Sequence, residues 1–191
     1  MPVAIIDCGT FELPAANPND CVTVIQGELS KIYWTAYRKS VNDGFADQTE
    51  FDNPASWSSR VSNSAQMPTD TTKAPIRVSE IIGGLNAPEQ TSTKIEGGRE
   101  IYGKPNYTIP FKMHDVSAEM VGWIQQTQNK PGQYYRCWFA SDSRMLGDVQ
   151  GIKGTLKLDL IIPAELDGLW EITGSFKFKS VLPKVNISPV S

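Results

Sequence analysis

Two stretches near the C-terminal end alternate apolar and polar residues with a period of two, and this pattern restricts the fold more than any other feature of the chain. The first has leucine or isoleucine at every second position of residues 156–162. The second has Trp170, Ile172, Phe176 and Phe178 on one parity, with polar residues between them. Successive side chains of a strand lie on opposite faces, so each stretch predicts a strand with one buried face. The alternation therefore favours a mainly β fold.

Further segments have the β-branched and aromatic residues that are typical of strands. They are residues 28–38, 76–82, 91–96, 100–102, 107–113 and 133–140. Gly97-Gly98 predicts a hairpin turn or a bulge between the third and the fourth of these segments. Pro110 cannot donate a backbone hydrogen bond, which favours an edge position for its strand. In residues 133–140 the large side chains fall on both parities, so both faces of that strand are expected to be covered.

One long helix is expected between the strands. Ser117 is suited to cap it. Its apolar face has helical spacing and is formed by Met120, Trp123, Ile124 and Thr127. The sequence NKPG at residues 129–132 ends this helix, because proline cannot continue it.

The length of 191 residues is that of one ordinary domain. The pattern divides the chain into an extended N-terminal arm at 1–27, a folded body at 28–182 and a loose, proline-containing tail at 183–191. The order of strands and helix predicts a mainly β (α+β) body, which is an antiparallel β-sandwich or half-barrel with one packed α-helix.

A long polar loop interrupts the body at residues 39–74. Within it, Asn53 as a cap and Pro54 at the first helical position predict a short helix that carries Trp57 and Val61. A loop of this length in a compact domain is usually functional or disordered. We expect residues 39–74 and 1–20 to become ordered only against neighbouring molecules. Deletion of residues 43–70 is accordingly expected to leave the body folded and to block assembly.

Charge is unevenly distributed along the chain. Residues 1–75 carry five basic and nine acidic side chains, whereas residues 76–191 carry 13 basic and 12 acidic ones. The formal net charge is -3, and a protein that coats nucleic acid needs a basic surface. The longest apolar runs are far shorter than the roughly 18 residues that a membrane span requires. We therefore expect neither stable coating of nucleic acid nor a membrane partner.

Residues suited to catalysis or metal binding are few, with one histidine and three cysteines in the whole chain. His114 and Asp115 are adjacent, so on a strand they would face opposite sides. Cys137 lies in an apolar segment and is expected to be a buried, unreactive thiol. The acidic residues of 43–52 lack the spacing of a calcium-binding loop and favour a solvated or interface loop. We expect no enzymatic activity, no cofactor and no metal.

The layout as a whole resembles the tail tube proteins of long-tailed bacteriophages and of related injection machines. The likeness consists of an N-terminal arm, a first strand (GELSKIYWTAY), a long polar loop, further strands and a single helix (SAEMVGWIQQTQ). The closing segment LKLDLIIPAELDGLWEITGSFKFKS, with its paired strands and its Trp-x-x-x-Gly-x-Phe pattern, adds to it. This resemblance covers most of residues 28–182.

The resemblance implies a structural virion protein that is made in the host cytoplasm and assembles into stacked hexameric rings. Its partners would be further copies of itself and other tail proteins, such as the tape measure, a sheath or a terminator. DNA would pass through the lumen as cargo. Assembly contacts are then expected in the loop and at an exposed strand edge, at Asp43, Asp47, Glu50, Asp52, Trp57, Arg60, Pro110 and Lys112.

Other functions remain open on the sequence alone. A terminator, adaptor or collar ring could share the same fold. A ligand-binding β-sandwich could recognise a sugar through Trp34, Tyr37 or Trp57, because exposed aromatic rings stack on sugars and bases. An enzyme that uses His114 is the third alternative.

Overall fold

The computed structural model describes residues 28–38, 43–62, 69, 72–96, 98–114, 116–129, 133–164, 170–179 and 182–190. The arm expected at 1–27, with Cys8 and Cys21, lies outside the described residues, and so do Asp115 and the side chain of Thr127. None of the helices in the described part is long and apolar enough to cross a membrane.

Strands account for most of the regular structure. They are β1 (Leu29–Ala36), β2 (Val61–Ser62), β3 (Ile76–Gly83), β4 (Ser92–Lys94), β5 (Glu100–Tyr102), β6 (Asn106–Met113), β7 (Tyr134–Ala140), β8 (Arg144–Leu146), β9 (Ile152–Ile161), β10 (Glu171–Lys179) and β11 (Val185–Ile187). The helices are α1 (Gln48–Asp52), α2 (Pro54–Ser58) and α3 (Ala118–Asn129). The predicted mainly β, antiparallel architecture with one packed helix is confirmed.

Six strands pair in a circuit that closes on itself, in the order β1-β3-β6-β10-β9-β7 and back to β1. Each of these pairings is antiparallel. The contact between β3 and β6 is the shortest and joins only Ile82 with Lys112 and Gly83 with Phe111. Outside the circuit, β2 runs parallel to β3, while β8 extends the β7 edge and carries β11.

The interior of the circuit holds the larger apolar cluster, here called the inner cluster. Every strand of the circuit contributes to it, for example through Ile32, Ile81, Ile109, Cys137, Leu158 and Phe176. The predicted alternation of β6, β9 and β10 is confirmed, since the apolar residues of one parity are buried in each. Helix α3 adds Met120 and Ile124 to this cluster. Its predicted cap is confirmed, because the Ser117 hydroxyl accepts a hydrogen bond from the Met120 amide at 3.3 Å.

A second apolar cluster, the outer cluster, lies on the other face of β1, β3 and β7. It consists of Tyr33, Phe45, Phe51, Trp57, Val61, Ile76, Trp138, Ala140 and Met145. Along β7, Cys137 and Phe139 face the inner cluster, while Trp138 and Ala140 face the outer one. The prediction that both faces of residues 133–140 are covered is therefore confirmed.

Residues 43–62, here called the plug, cover the outer cluster. The predicted short helix is confirmed as α2, whose cap Asn53 accepts from the Ala55 amide at 3.0 Å. The helix carries Trp57 as expected, but the expectation for Val61 is wrong, because Val61 lies in β2. The expectation of a solvated loop is wrong for the plug, because it buries Phe45, Phe51 and Trp57 completely. The polar composition of the plug does not reveal this burial. Three aromatic side chains bury enough surface to hold the segment against the closed circuit of strands, here called the barrel.

The expected loose tail is wrong for residues 185–187. They form β11, which pairs with β8 in antiparallel register from Val185–Leu146 to Ile187–Arg144. The side-chain amide of Asn186 donates to the Gly147 carbonyl at 2.6 Å. Prolines on either side limit the length of this strand without preventing it.

The edge position inferred from Pro110 is also wrong, because β6 lies between β3 and β10. Pro110 pairs with Ser175 of β10, and its carbonyl accepts from the Gly84 amide at 3.3 Å on the opposite side. The amide and carbonyl of a residue in an antiparallel strand point the same way. The side of Pro110 that lacks an N–H donor therefore faces the residues that follow the end of β3. The ladder of backbone hydrogen bonds is already irregular there.

Candidate functional site

Of the eight residues expected at assembly contacts, three are buried, four are exposed and Glu50 is partly buried. Asp43, Trp57 and Arg60 have no exposed surface. Their side chains cannot touch a neighbouring molecule unless the plug opens, so their predicted role in an interface is not supported by their placement. They hold the plug together instead.

Asp43 is the centre of the polar contacts in the plug. Its carboxylate accepts two hydrogen bonds from the guanidinium of Arg38, one of them from Nε at 2.7 Å, and a third from the Ala74 amide at 2.9 Å. A forked arginine–carboxylate pair of this kind fixes both position and orientation. Asp43 thereby joins the end of β1 to the chain that leads into β3.

Arg60 is buried near the end of the plug, and its side chain donates hydrogen bonds to backbone carbonyls. Its guanidinium donates to the carbonyls of Asp43 at 2.6 Å, Ala74 at 3.2 Å and Gly44 at 3.3 Å. It also lies over the ring of Phe45, with 5.0 Å between the guanidinium carbon and the ring centroid. A buried charge is tolerated when it is hydrogen-bonded in this way.

Two carboxylates of the plug have lowered pKa values. Burial alone would raise the pKa of Asp43, but the hydrogen bonds from Arg38 and Ala74 and the charges of Arg38 and Arg60 outweigh it and lower the pKa. Burial likewise acts to raise the pKa of Glu50, and the bonds from the Ala46 amide and Lys73 lower it overall. Lys73 Nζ lies 2.9 Å from a Glu50 oxygen.

These lowered pKa values predict an acid-sensitive plug. Their stabilising effect is present above the unfolded-state pKa values of about 3.9 for Asp and 4.3 for Glu, and it is lost as the pH falls through the folded-state values. We expect Asp43→Asn to lower the free energy of unfolding by about 2 kcal/mol at pH 7. This gap in the free energy of unfolding between the wild type and the variant is expected to become smaller toward pH 3. Urea titrations at several pH values measure it, with the exposed Asp142→Asn as control. A gap that does not change with pH would contradict the assignment.

The other predicted residues are more exposed. Asp47 caps α1 by accepting from the Glu50 amide at 2.8 Å, and Asp52 accepts from the side chain of Gln48 at 2.8 Å. Lys112 forms an ion pair with Glu171 of the neighbouring strand at 3.2 Å. Asp47, Asp52, Pro110 and Lys112 are accessible and stay predicted contact residues.

Sequence reasoning did not assign a contact role to the hairpin of β4 and β5. All six strand residues of the β4–β5 hairpin are exposed, and its apolar side chains Ile101 and Tyr102 are 56% and 62% exposed. Gly98 in its turn has a positive φ of 75°, as the glycine pair predicted. The sequence did contain a signal for a contact surface. The short strand β5 has the apolar residues Ile101 and Tyr102 at adjacent positions, which lie on opposite faces of a strand.

Strand β11 presents a second apolar surface. It is bonded to β8 on one side, and Val185 and Ile187 are 51% and 73% exposed. Leu182, just before it, is also exposed. Edge strands with exposed apolar residues are sites where another chain can add a strand.

The alternative sites proposed from the sequence are not assembled. Trp34 and Trp57 are fully buried, so they cannot form a sugar platform with Tyr37. His114 is exposed directly after β6. Cys137 is a free thiol inside the inner cluster, and burial raises its pKa well above the usual value, as expected of an unreactive cysteine. Within the described ranges, no group of three or more His, Cys, Asp or Glu residues could hold a metal ion.

No family model, no curated protein and no solved structure matches this chain. The function of the chain is therefore inferred from the surfaces described above.

Proposed function

We propose that this chain is a self-assembling structural subunit of a bacteriophage tail tube or of a related injection machine. Copies of the chain form rings, and the rings stack into a tube through which DNA passes as cargo. The further partners are other tail proteins, such as the tape measure, a sheath or a terminator. The site of action is the virion tail, and the protein is made in the host cytoplasm.

The β4–β5 hairpin is the observation that carries this proposal. A two-stranded hairpin is at best marginally stable in water when nothing packs on it. This hairpin has no buried strand residue, and it presents Ile95, Ile101 and Tyr102 to solvent. Large exposed apolar side chains on a projecting element are typical of a protein–protein contact.

The remaining architecture supports the same proposal. A mainly β, antiparallel body with one packed helix is the class of fold that the resemblance to tail tube proteins implies. Strand β11 offers an edge to which a neighbouring chain can bond. A subunit with two separate contact surfaces can close a ring with one and stack rings with the other.

Negative-stain microscopy of the purified protein tests the proposal directly. We expect rings and tubes. A monomer of 21.1 kDa at all concentrations would overturn the proposal. Single rings that never stack would instead assign the chain to a terminator, adaptor or collar position.

The hairpin itself can be tested by making it polar. We expect Ile101→Ser with Tyr102→Ser to leave the barrel folded, since both side chains are largely exposed, and to shorten or abolish tubes because their apolar contact is lost. Tube length in micrographs is the measurement, and circular dichroism verifies folding. Lys94→Ala on the same hairpin is the matched control. Tubes of wild-type length from the double variant would exclude the hairpin from stacking.

A further inference from the structure

The outer face of the sheet β6–β10–β9 is polar, and its charges are distributed unevenly. Toward one end, Lys112 pairs with Glu171 at 3.2 Å and Lys157 pairs with Asp159 at 2.7 Å. Toward the other end, Lys153, Lys177 and Lys179 are exposed, and no carboxylate among the described residues forms an ion pair with them. Among the described residues, Lys177 and Lys179 therefore have no ion-pair partner, and Lys153 lies over the rings of Tyr37 and Tyr134.

These lysines border a groove of about 580 Å³, here called the lysine groove. Lys177 stands between Thr108 of β6 and Thr155 of β9, and Lys179 is paired with Asn106. Tyr134 forms the far wall, with Lys153 Nζ 4.7 Å from its ring centroid. Glu89 is the one carboxylate among the described residues that line the groove. The groove thus combines an excess of positive charge with hydroxyl and amide donors.

The plug carries the complementary excess of negative charge. Two of its carboxylates, Asp43 and Glu50, are already paired with Arg38 and Lys73. Asp47 and Asp52 of α1 are exposed and accept only from the Glu50 amide and the Gln48 side chain in the described part of the chain. Their charges are therefore available to a partner.

The lysine groove and α1 occupy different parts of the barrel surface. The plug packs on the outer face of β1, where Phe51 of α1 joins Tyr33 and Trp138 in the outer cluster. The groove spans β6, β10 and β9 and ends at Tyr134 of β7, where Lys153 Nζ also lies 4.1 Å from the ring centroid of Tyr37. Among the described residues, no ion pair joins Asp47 or Asp52 to a lysine of the groove within one subunit. The two complementary patches can instead meet between copies in a head-to-tail arrangement.

We propose that the lysine groove of one copy receives the acidic α1 surface, Asp47 and Asp52, of the next copy. This contact rests on the proposed self-assembly and names the charges that direct it. It is a heterologous contact, so each copy uses its groove toward one neighbour and its α1 toward the other. Exposed charge pairs contribute mainly orientation and association rate, and salt weakens them.

Charge reversal on each side tests the contact. The groove variant is Lys177→Glu with Lys179→Glu. The acidic-surface variant is Asp47→Asn with Asp52→Lys, in which asparagine keeps the cap of α1. Each variant alone is expected to remain monomeric in sedimentation velocity at concentrations at least tenfold above the wild-type assembly threshold. The control, Lys31→Glu with Lys104→Glu, makes the same charge change elsewhere and is expected to assemble like the wild type.

Mixing the two reversed variants in equal amounts provides the decisive measurement. In a mixture, each reversed groove meets a reversed α1 surface, and each native groove meets a native one, so alternating assemblies are expected to form. Assembly of either variant alone at the wild-type threshold would overturn the contact while leaving the proposed tube function intact. A mixture that stays monomeric, with both variants folded, would also overturn it. A wild-type protein that never assembles would overturn both proposals.

Discussion

Replacing Trp57 with alanine should lower the free energy of unfolding by about 4 kcal/mol, since truncation of a buried tryptophan leaves a large cavity. The Trp57 side chain has no exposed surface, and its indole nitrogen donates to the Phe51 carbonyl at 2.7 Å. Its ring contacts four others, with centroid distances of 4.6 to 5.5 Å, those of Tyr33, Phe45, Phe51 and Trp138. Alanine removes all of these contacts and leaves a carbonyl without its donor.

Urea denaturation followed by tryptophan fluorescence and circular dichroism measures this effect on the monomeric subunit. Trp170→Ala is the matched control, because Trp170 is 51% exposed and its loss is expected to change the stability by less than about 0.5 kcal/mol. If both variants unfold at the same urea concentration, the plug does not pack on the isolated barrel. The same reasoning reverses the earlier expectation for deletion of residues 43–70, which would uncover Tyr33 and Trp138 and destabilise the body.

Placing valine at Gly174 should lower the free energy of unfolding by about 3 kcal/mol, as expected for an overpacked core. Gly174 pairs directly with Phe111 across β10 and β6. A Cβ atom at this position would overlap the ring of Phe111, which is only 3% exposed and belongs to the inner cluster. The ring is packed in the inner cluster, so it can make room for the valine only by displacing its neighbours there.

A double-mutant cycle identifies the cause of this destabilisation. Phe111→Ala removes the ring that the valine would strike, so the two changes together are expected to cost at least 1 kcal/mol less than the sum of their separate effects. Gly84→Val is the control, since no atom lies within 4 Å of a Cβ built there. Additive effects of Gly174→Val and Phe111→Ala would show that the overlap is not what limits this position.

The parts of the fold that could be predicted from the sequence are those with a local signal. The period of two in β6, β9 and β10 reports a buried face, because each strand has one side against the inner cluster. Ser117 predicts the start of α3 and Asn53 that of α2, because a capping side chain accepts from amides two or three residues away. Such signals need no knowledge of distant partners.

The plug and β11 could not be predicted because their stability comes from distant residues. Phe45, Phe51 and Trp57 lie in irregular or very short elements without periodicity, and their burial depends on the outer faces of β1 and β7. One local signal was available: Asp47 and Glu50 have the spacing of a capping box. Strand β11 is three residues long and is defined only by its pairing with β8.

The candidate site shows the same division. Of the residues expected at assembly contacts, Asp47, Asp52 and Lys112 are accessible, whereas the side chains of Asp43 and Arg60 are buried and bonded inside the subunit. A sequence shows how many charges a segment carries but not which of them already have partners. The lysine groove can be recognised only after the ion pairs of Lys112 with Glu171 and of Lys157 with Asp159 are known.

Strand β1 has one further consequence for how copies of this chain would meet. Ile32 and Trp34 face the barrel interior while Tyr33 faces the plug, so a single strand contributes to both clusters. Because Phe51 of α1 packs in the outer cluster, we expect the α1 surface to be formed before any neighbour binds. Association of preorganised surfaces loses less conformational entropy than association that must first fold a segment. A subunit of this kind would bind its neighbours through contact surfaces that are already folded.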